Sequence, residues 1–169
     1  MACGLFLLAP PCSLARDPLR EDALKAGYLF NFIKFVDWPT APASDPFTVC
    51  FLGSTGVLDQ LAAALPNKRI ADRALAVRAL SAGEQPTGCE VLYVDGAQQT
   101  LSQPPLNLRA PGLLTVSDSA NFLHEGGIIA LFAEGNRLRF RISLGNARHA
   151  NLRISSSLLQ LASSVEKEP

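Results

Sequence analysis

Residues 112–162 read GLLTVSDSANFLHEGGIIALFAEGNRLRFRISLGNARHANLRISSSLLQLA, and this stretch decides the fold. It opens with an apolar run, Leu113–Val116, that ends at Ser117-Asp118. Two further apolar runs, Ile128–Phe132 and Leu138–Leu144, follow Gly126-Gly127 and are split by Glu134-Gly135-Asn136. Two strand-like runs around a short glycine-containing loop spell a hairpin. In the second run Leu138, Phe140, Ile142 and Leu144 alternate with Arg137, Arg139, Arg141 and Ser143. Period 2 buries one face and leaves the other carrying three arginines. A polar turn over Asn146–Asn151 then leads to Leu152-Arg153-Ile154 and a last helical stripe of Leu158, Leu159 and Leu161.

Upstream, Asp22–Val36 predicts a helix with a wide apolar arc: Leu24, Tyr28, Phe32 and Phe35, broadened by Leu29, Ile33 and Val36. Asp37-Trp38-Pro39 stops it, because proline disfavours helical backbone in the residue before it. Tyr28, Phe32 and Trp38 read first as core anchors and second as an aromatic pocket. Strands are expected at Pro46–Leu52, Ala74–Leu80 and Cys89–Val94, and helices at Val57–Leu65 and Ala97–Gln103. Strands alternating with helices before a final hairpin predict an α/β fold: a three-layer, Rossmann-like sandwich with a mostly parallel sheet and a C-terminal β-hairpin.

Three blocks together, LLTVSD (residues 113–118), NRLRFRISLGNARHANLRISSSLLQLA (residues 136–162) and KAGYLFNFIKFVDWP (residues 25–39), closely resemble the YfiR family. The resemblance covers residues 21–163 as a single domain, flanked by a residual signal peptide (1–15) and a polar tail (164–169). It implies a small periplasmic regulator, the type member of which represses a membrane-bound diguanylate cyclase. It also implies a disulfide between Cys50 and Cys89. Both cysteines fall in apolar strands expected to be central in the sheet, and an oxidising compartment would let them join. The family's second disulfide would fall near His124 and Leu131, where this chain has no cysteine.

Bulk properties point to a compact globular protein. The chain has 169 residues, 48% hydrophobic and 18% charged, enough for one real core. Lys plus Arg and Asp plus Glu are 15 each, so no net field draws it to nucleic acid. Residues 1–15 are apolar, and Ser13-Leu14-Ala15 precedes Arg16-Asp17 in the manner of a signal-peptidase site. The positive leader start is missing, so the segment reads as the tail of a secretory signal whose start is placed late. Cys3 and Cys12 would leave with it.

Catalytic patterns are tested and not found. His124 and His149 are 25 residues apart, outside any metal-ligand spacing, so no metal and no cofactor is expected. Ser54 follows a strand, but LGSTG lacks the G-x-S-x-G nucleophile elbow. The Gly53–Gly56 turn lacks a phosphate-loop lysine. Ser117-Asp118 stands at a strand end, where α/β folds bind ligands, but a cap for the next short helix is the simpler role for Asp118. The reading is therefore a non-enzyme.

Two functions stay open. One is a regulator docking on the extracytoplasmic domain of an inner-membrane receptor, as a homodimer by default. The other is a small-molecule module that uses a candidate strand-end pocket at Ser54, Thr55, Ser117 and Asp118. Arg137, Arg139, Arg141, Arg148 and Arg153 are candidate contacts for an anion or an acidic partner, since guanidinium forks match carboxylate and phosphate. The hairpin arginines read equally as charges that keep an exposed strand from aggregating.

Overall fold

The computed structural model describes residues 17–39, 46–53, 55–64, 68–70, 72–99 and 105–167. The expected signal segment, Ser54, Leu65 and residues 100–103 of the expected third helix lie outside them.

Helix α1, Pro18–Phe35, starts at Asp17, whose carboxylate accepts from the Leu19 N–H, and has Pro18 in its first turn. It ends where Val36 turns extended, just before Trp38-Pro39. Strand β1, Val36–Asp37, continues from it, and β2, Phe47–Leu52, is the first strand of the main sheet. Helix α2, Thr55–Ala64, leads to β3, Arg69–Ile70, and β4, Arg73–Leu80. Then come β5, Val91–Val94, the short α3, Gly96–Gln99, and β6, Leu114–Ser117. The hairpin β7, Ile129–Glu134, and β8, Arg137–Ser143, turns at Gly135, whose φ is +57°. Last are α4 (Leu144–His149), β9 (Arg153–Ile154), α5 (Ser156–Leu161) and β10 (Ser164–Glu166).

Eight strands form one sheet in the order β10-β8-β7-β6-β5-β2-β4-β3, and β1 pairs with β9 separately. The sheet is mixed. β3–β4 and β7–β8 are antiparallel, whereas β4, β2, β5, β6 and β7 run parallel in succession and β10 lies parallel to β8. β10 falls in what reads from sequence as the polar tail. Its Ser164, Val165 and Glu166 stand opposite Arg141, Ile142 and Ser143.

The two faces of the sheet are covered differently. On one, α1 sets Ala26, Leu29, Phe32 and Ile33 against Val49, Phe51, Val91, Leu114, Leu131 and Phe140. Phe32 and Phe140 meet edge-on at 5.0 Å, and Tyr28 adds a third ring at 5.7 Å from Phe140. Tyr28 also donates its hydroxyl hydrogen to the Leu138 carbonyl at 2.9 Å, so it anchors the core. The apolar arc of α1 is wider than the sheet can cover, and Leu24 and Phe35 stay exposed at 47% and 38%.

On the other face, the described apolar cover is irregular chain. Leu106, Leu108, Ala110 and Leu113 come from a loop, and Phe122 and Leu123 from a tight turn; they lie over Cys50, Leu52, Leu92, Val94 and Ala130. The α/β class stands, but among the described residues this face is covered by coil, so the helical third layer expected of a Rossmann-like sandwich is not seen there. That turn is locked by close approach: a Cβ on Gly127 would sit 2.2 Å from the Phe122 ring. It is also clamped by Asn146, which is 1% exposed and donates from Nδ2 to the Leu123 and Gly127 carbonyls at 2.8 and 2.7 Å. Asn146 belongs to α4, not to the polar turn its neighbourhood suggests. Ser143 caps that helix by accepting from the Asn146 N–H.

Candidate functional site

The residues singled out from sequence fall on three surfaces. The first is the carboxyl-end rim of the parallel strands. Ser117 closes β6 and is fully buried, and Asp118 follows it. One Asp118 oxygen accepts from the Lys25 ammonium of α1 at 2.6 Å, and the other from the Gly96 N–H of α3 at 2.7 Å. Asp118 thus caps a helix, but one 22 residues behind it in the chain. Lys25 also reaches Glu21, one turn earlier, at 3.0 Å. Asp22 lies against the start of α2, where a Cβ on Gly56 would collide with its carboxylate. Ser54 and the Thr55 side chain lie outside the described residues.

The electrostatics follow from burial and these bonds. Burial raises the Asp118 pKa, but the bonds from Lys25 and Gly96 outweigh it, and the carboxyl is held below its ordinary value. Burial lowers the Lys25 ammonium, yet the bonds to Asp118 and Glu21 win and its pKa is raised. Asp22 is raised, by burial first, despite Lys25. Burial, then the charges of Asp118 and Asp95, push the Tyr93 hydroxyl well up, so it stays protonated. The rim is thus a strap from α1 to β6 and α3, with both Asp118 oxygens engaged.

The strap gives a pH-dependent test. The lowered Asp118 contributes stability that is present above its unfolded pKa of about 3.9 and is lost as pH falls through the lower folded value. Lys25→Met should cost about 1–3 kcal/mol at pH 7, because it leaves a half-buried carboxylate short of a partner. The gap from wild type should shrink as pH falls below the ordinary carboxylate value and close only once Asp118 is protonated in both. Urea midpoints at pH 7 and pH 3 measure this; a gap that stays constant would mean that Lys25 acts through packing alone.

The second surface is the hairpin. Arg137, Arg139 and Arg141 share a face with Glu134, Phe132 and Ala130, their cross-strand partners. Arg139 pairs with Glu134 at 3.0 Å, and the Arg141 guanidinium stacks on Phe132 at 5.2 Å.

Arg148 and Arg153 are not part of that face. Arg148 is exposed in the last turn of α4. Arg153 stands opposite Asp37 in the β1–β9 pair and lines the third surface, an open groove of about 410 Å³. Lys34, Phe35, Val36, Asp37, Ile154 and Ser155 complete the groove. Sequence reasoning missed Lys34 as a groove residue, because only the β1–β9 pairing brings the end of α1 beside Arg153. The exposed His124 and His149 join no cluster of metal-ligating side chains among the described residues.

A family model described as YfiR/HmsC-like matches residues 22–163. The chain belongs to the YfiR/HmsC-like family. No curated protein matches it. This YfiR/HmsC-like domain runs from Asp22, inside α1, through α5. It holds the Cys50–Cys89 disulfide, which joins β2 to the segment before β5 with Cα atoms 5.9 Å apart. Among the described residues no helix is long and apolar enough to cross a membrane.

Proposed function

We propose that this YfiR/HmsC-like chain is a periplasmic regulator that binds and represses the extracytoplasmic domain of an inner-membrane signalling protein, most directly a diguanylate cyclase. The family match over residues 22–163 carries this reading. The Cys50–Cys89 disulfide supports it, because such bonds persist in oxidising compartments such as the periplasm. The proposed role is regulatory rather than catalytic, with an isologous homodimer as the working assembly.

A repressor must bind the inactive receptor more tightly than the active one, since equal affinity for both shifts nothing. Deletion of the chain in its host should raise cyclic di-GMP and biofilm formation, and its return should reverse both. The reading fails if cyclic di-GMP ignores the deletion and the purified chain binds no cyclase sensor domain. A second reading, a module for a small anionic ligand, is favoured by the groove that combines Lys34 and Arg153 at a size suited to small molecules.

A further inference from the structure

The sheet face of the hairpin changes character along its length. At Ala130 it is roofed by Phe122 and Leu123 of the turn. Past Ala130 the roof ends: Phe132, Arg139 and Arg141 are half-buried, and Glu134 and Arg137 are exposed. Arg141 stands at that boundary. Its guanidinium is held against the Phe132 ring. Its Nη2 donates to the Ala120 carbonyl at 3.5 Å, the outer limit of a hydrogen bond. Its Nε is shut off from solvent with no hydrogen-bond partner. Arg139, by contrast, is spent on an exposed ion pair with Glu134.

A guanidinium stacked on a ring is pre-organised, and a shielded, unpaired N–H is costly. With Nε shielded, the group that answers the Nη N–H groups with two matched oxygens is a carboxylate. Three arginines against Glu134 and, on the adjoining β10, Glu166 leave the face with an excess of one positive charge. Phe132 offers apolar area beside them.

We infer that the Phe132/Arg139/Arg141 face is the docking site for an acidic segment of a protein partner, with Arg141 taking a carboxylate and Phe132 receiving the neighbouring aliphatic side chain. The inference rests on the regulatory reading above and names the chemistry of the contact. Charge complementarity decides for a polypeptide: a carboxylate with an apolar neighbour matches both the fork and the ring, whereas a free inorganic anion would use only the fork.

The test is titration calorimetry of the full chain with a synthetic peptide of alternating Glu and Leu, and separately with inorganic phosphate. Arg141→Lys keeps the charge but loses the fork, and should weaken peptide binding about tenfold with an unchanged melting curve. Arg139→Gln should weaken it less. Arg148→Gln, on a different surface, should leave it as in wild type, and phosphate should not displace the peptide. The proposal is overturned if wild type does not bind the peptide, if Arg141→Lys binds like wild type, if Arg148→Gln loses as much, or if phosphate competes at equal concentration.

A chromosomal Arg141→Lys strain separates this from the regulatory reading. If deletion raises cyclic di-GMP and Arg141→Lys does not, the docking site falls and the regulator stands. If deletion itself changes nothing, the regulator falls and the titration alone judges the face.

Discussion

Glu90→Ala will destabilise the chain by about 3–5 kcal/mol, because it breaks a buried ion pair from one side. Glu90 is 8% exposed, directly before β5. Its Oε1 pairs with Arg73 Nη2 on β4, and its Oε2 accepts from the Thr48 N–H on β2 at 2.7 Å. One carboxylate therefore ties three neighbouring strands at their amino ends. Arg73 is held on the Phe47 ring at 5.2 Å and donates to the Pro46 carbonyl at 2.9 Å. Without Glu90, the guanidinium keeps, among the described residues, that carbonyl and the Phe47 ring in a site where its side chain is 11% exposed, and the Thr48 amide loses its acceptor. Glu90→Gln keeps an acceptor for Thr48 and should cost less. Replacing both partners by apolar residues of similar volume should recover much of the loss, since the uncompensated charge goes too. Urea unfolding followed by circular dichroism measures all three. A loss below about 1 kcal/mol for Glu90→Ala would show that water reaches the pair freely.

The second large effect is the disulfide. Replacing Cys50 and Cys89 together with alanine, or reducing the wild type, should cost about 4 kcal/mol in the chain-entropy model for a separation of 39 residues. At this chain length that corresponds to a fall in melting temperature of about 8–16 °C. The native state itself should change little. β2 and β5 remain hydrogen-bonded neighbours with Val49 opposite Val91, and Arg78 still reaches the Thr87 carbonyl. The cost should therefore appear mainly through a looser unfolded chain. Superimposable melting curves with and without reductant would mean that the bond contributes nothing to stability.

Much of the architecture was legible because it is written locally. The alternation of Leu138, Phe140 and Ile142 with arginines gave β8, and unbroken apolar runs gave β2 and β5, which are buried on both faces. What was not legible depends on contacts made across the chain. Asn146 looks like a turn residue, and its neighbours Leu144, Gly145 and Ala147 are too few to show a helical stripe. It is buried because two distant carbonyls accept from it. Lys25 and Asp118 are 93 residues apart, and nothing near either one announces the strap. The coil-covered face was read as helical because strand spacing alone does not say what fills the connections. The five arginines looked like one set in sequence, yet the hairpin turns three onto one face while Arg153 goes to the groove.

Trp38 is the chain's single tryptophan. Its indole N–H donates to the Gly112 carbonyl, 74 residues away, at 2.9 Å, and its ring meets Phe47 edge-on at 5.2 Å. The molecule therefore carries one tryptophan fluorophore, sited where the exit of α1, the start of β2 and the approach to β6 converge. Its emission reports long-range closure of the fold rather than the state of any one helix or strand.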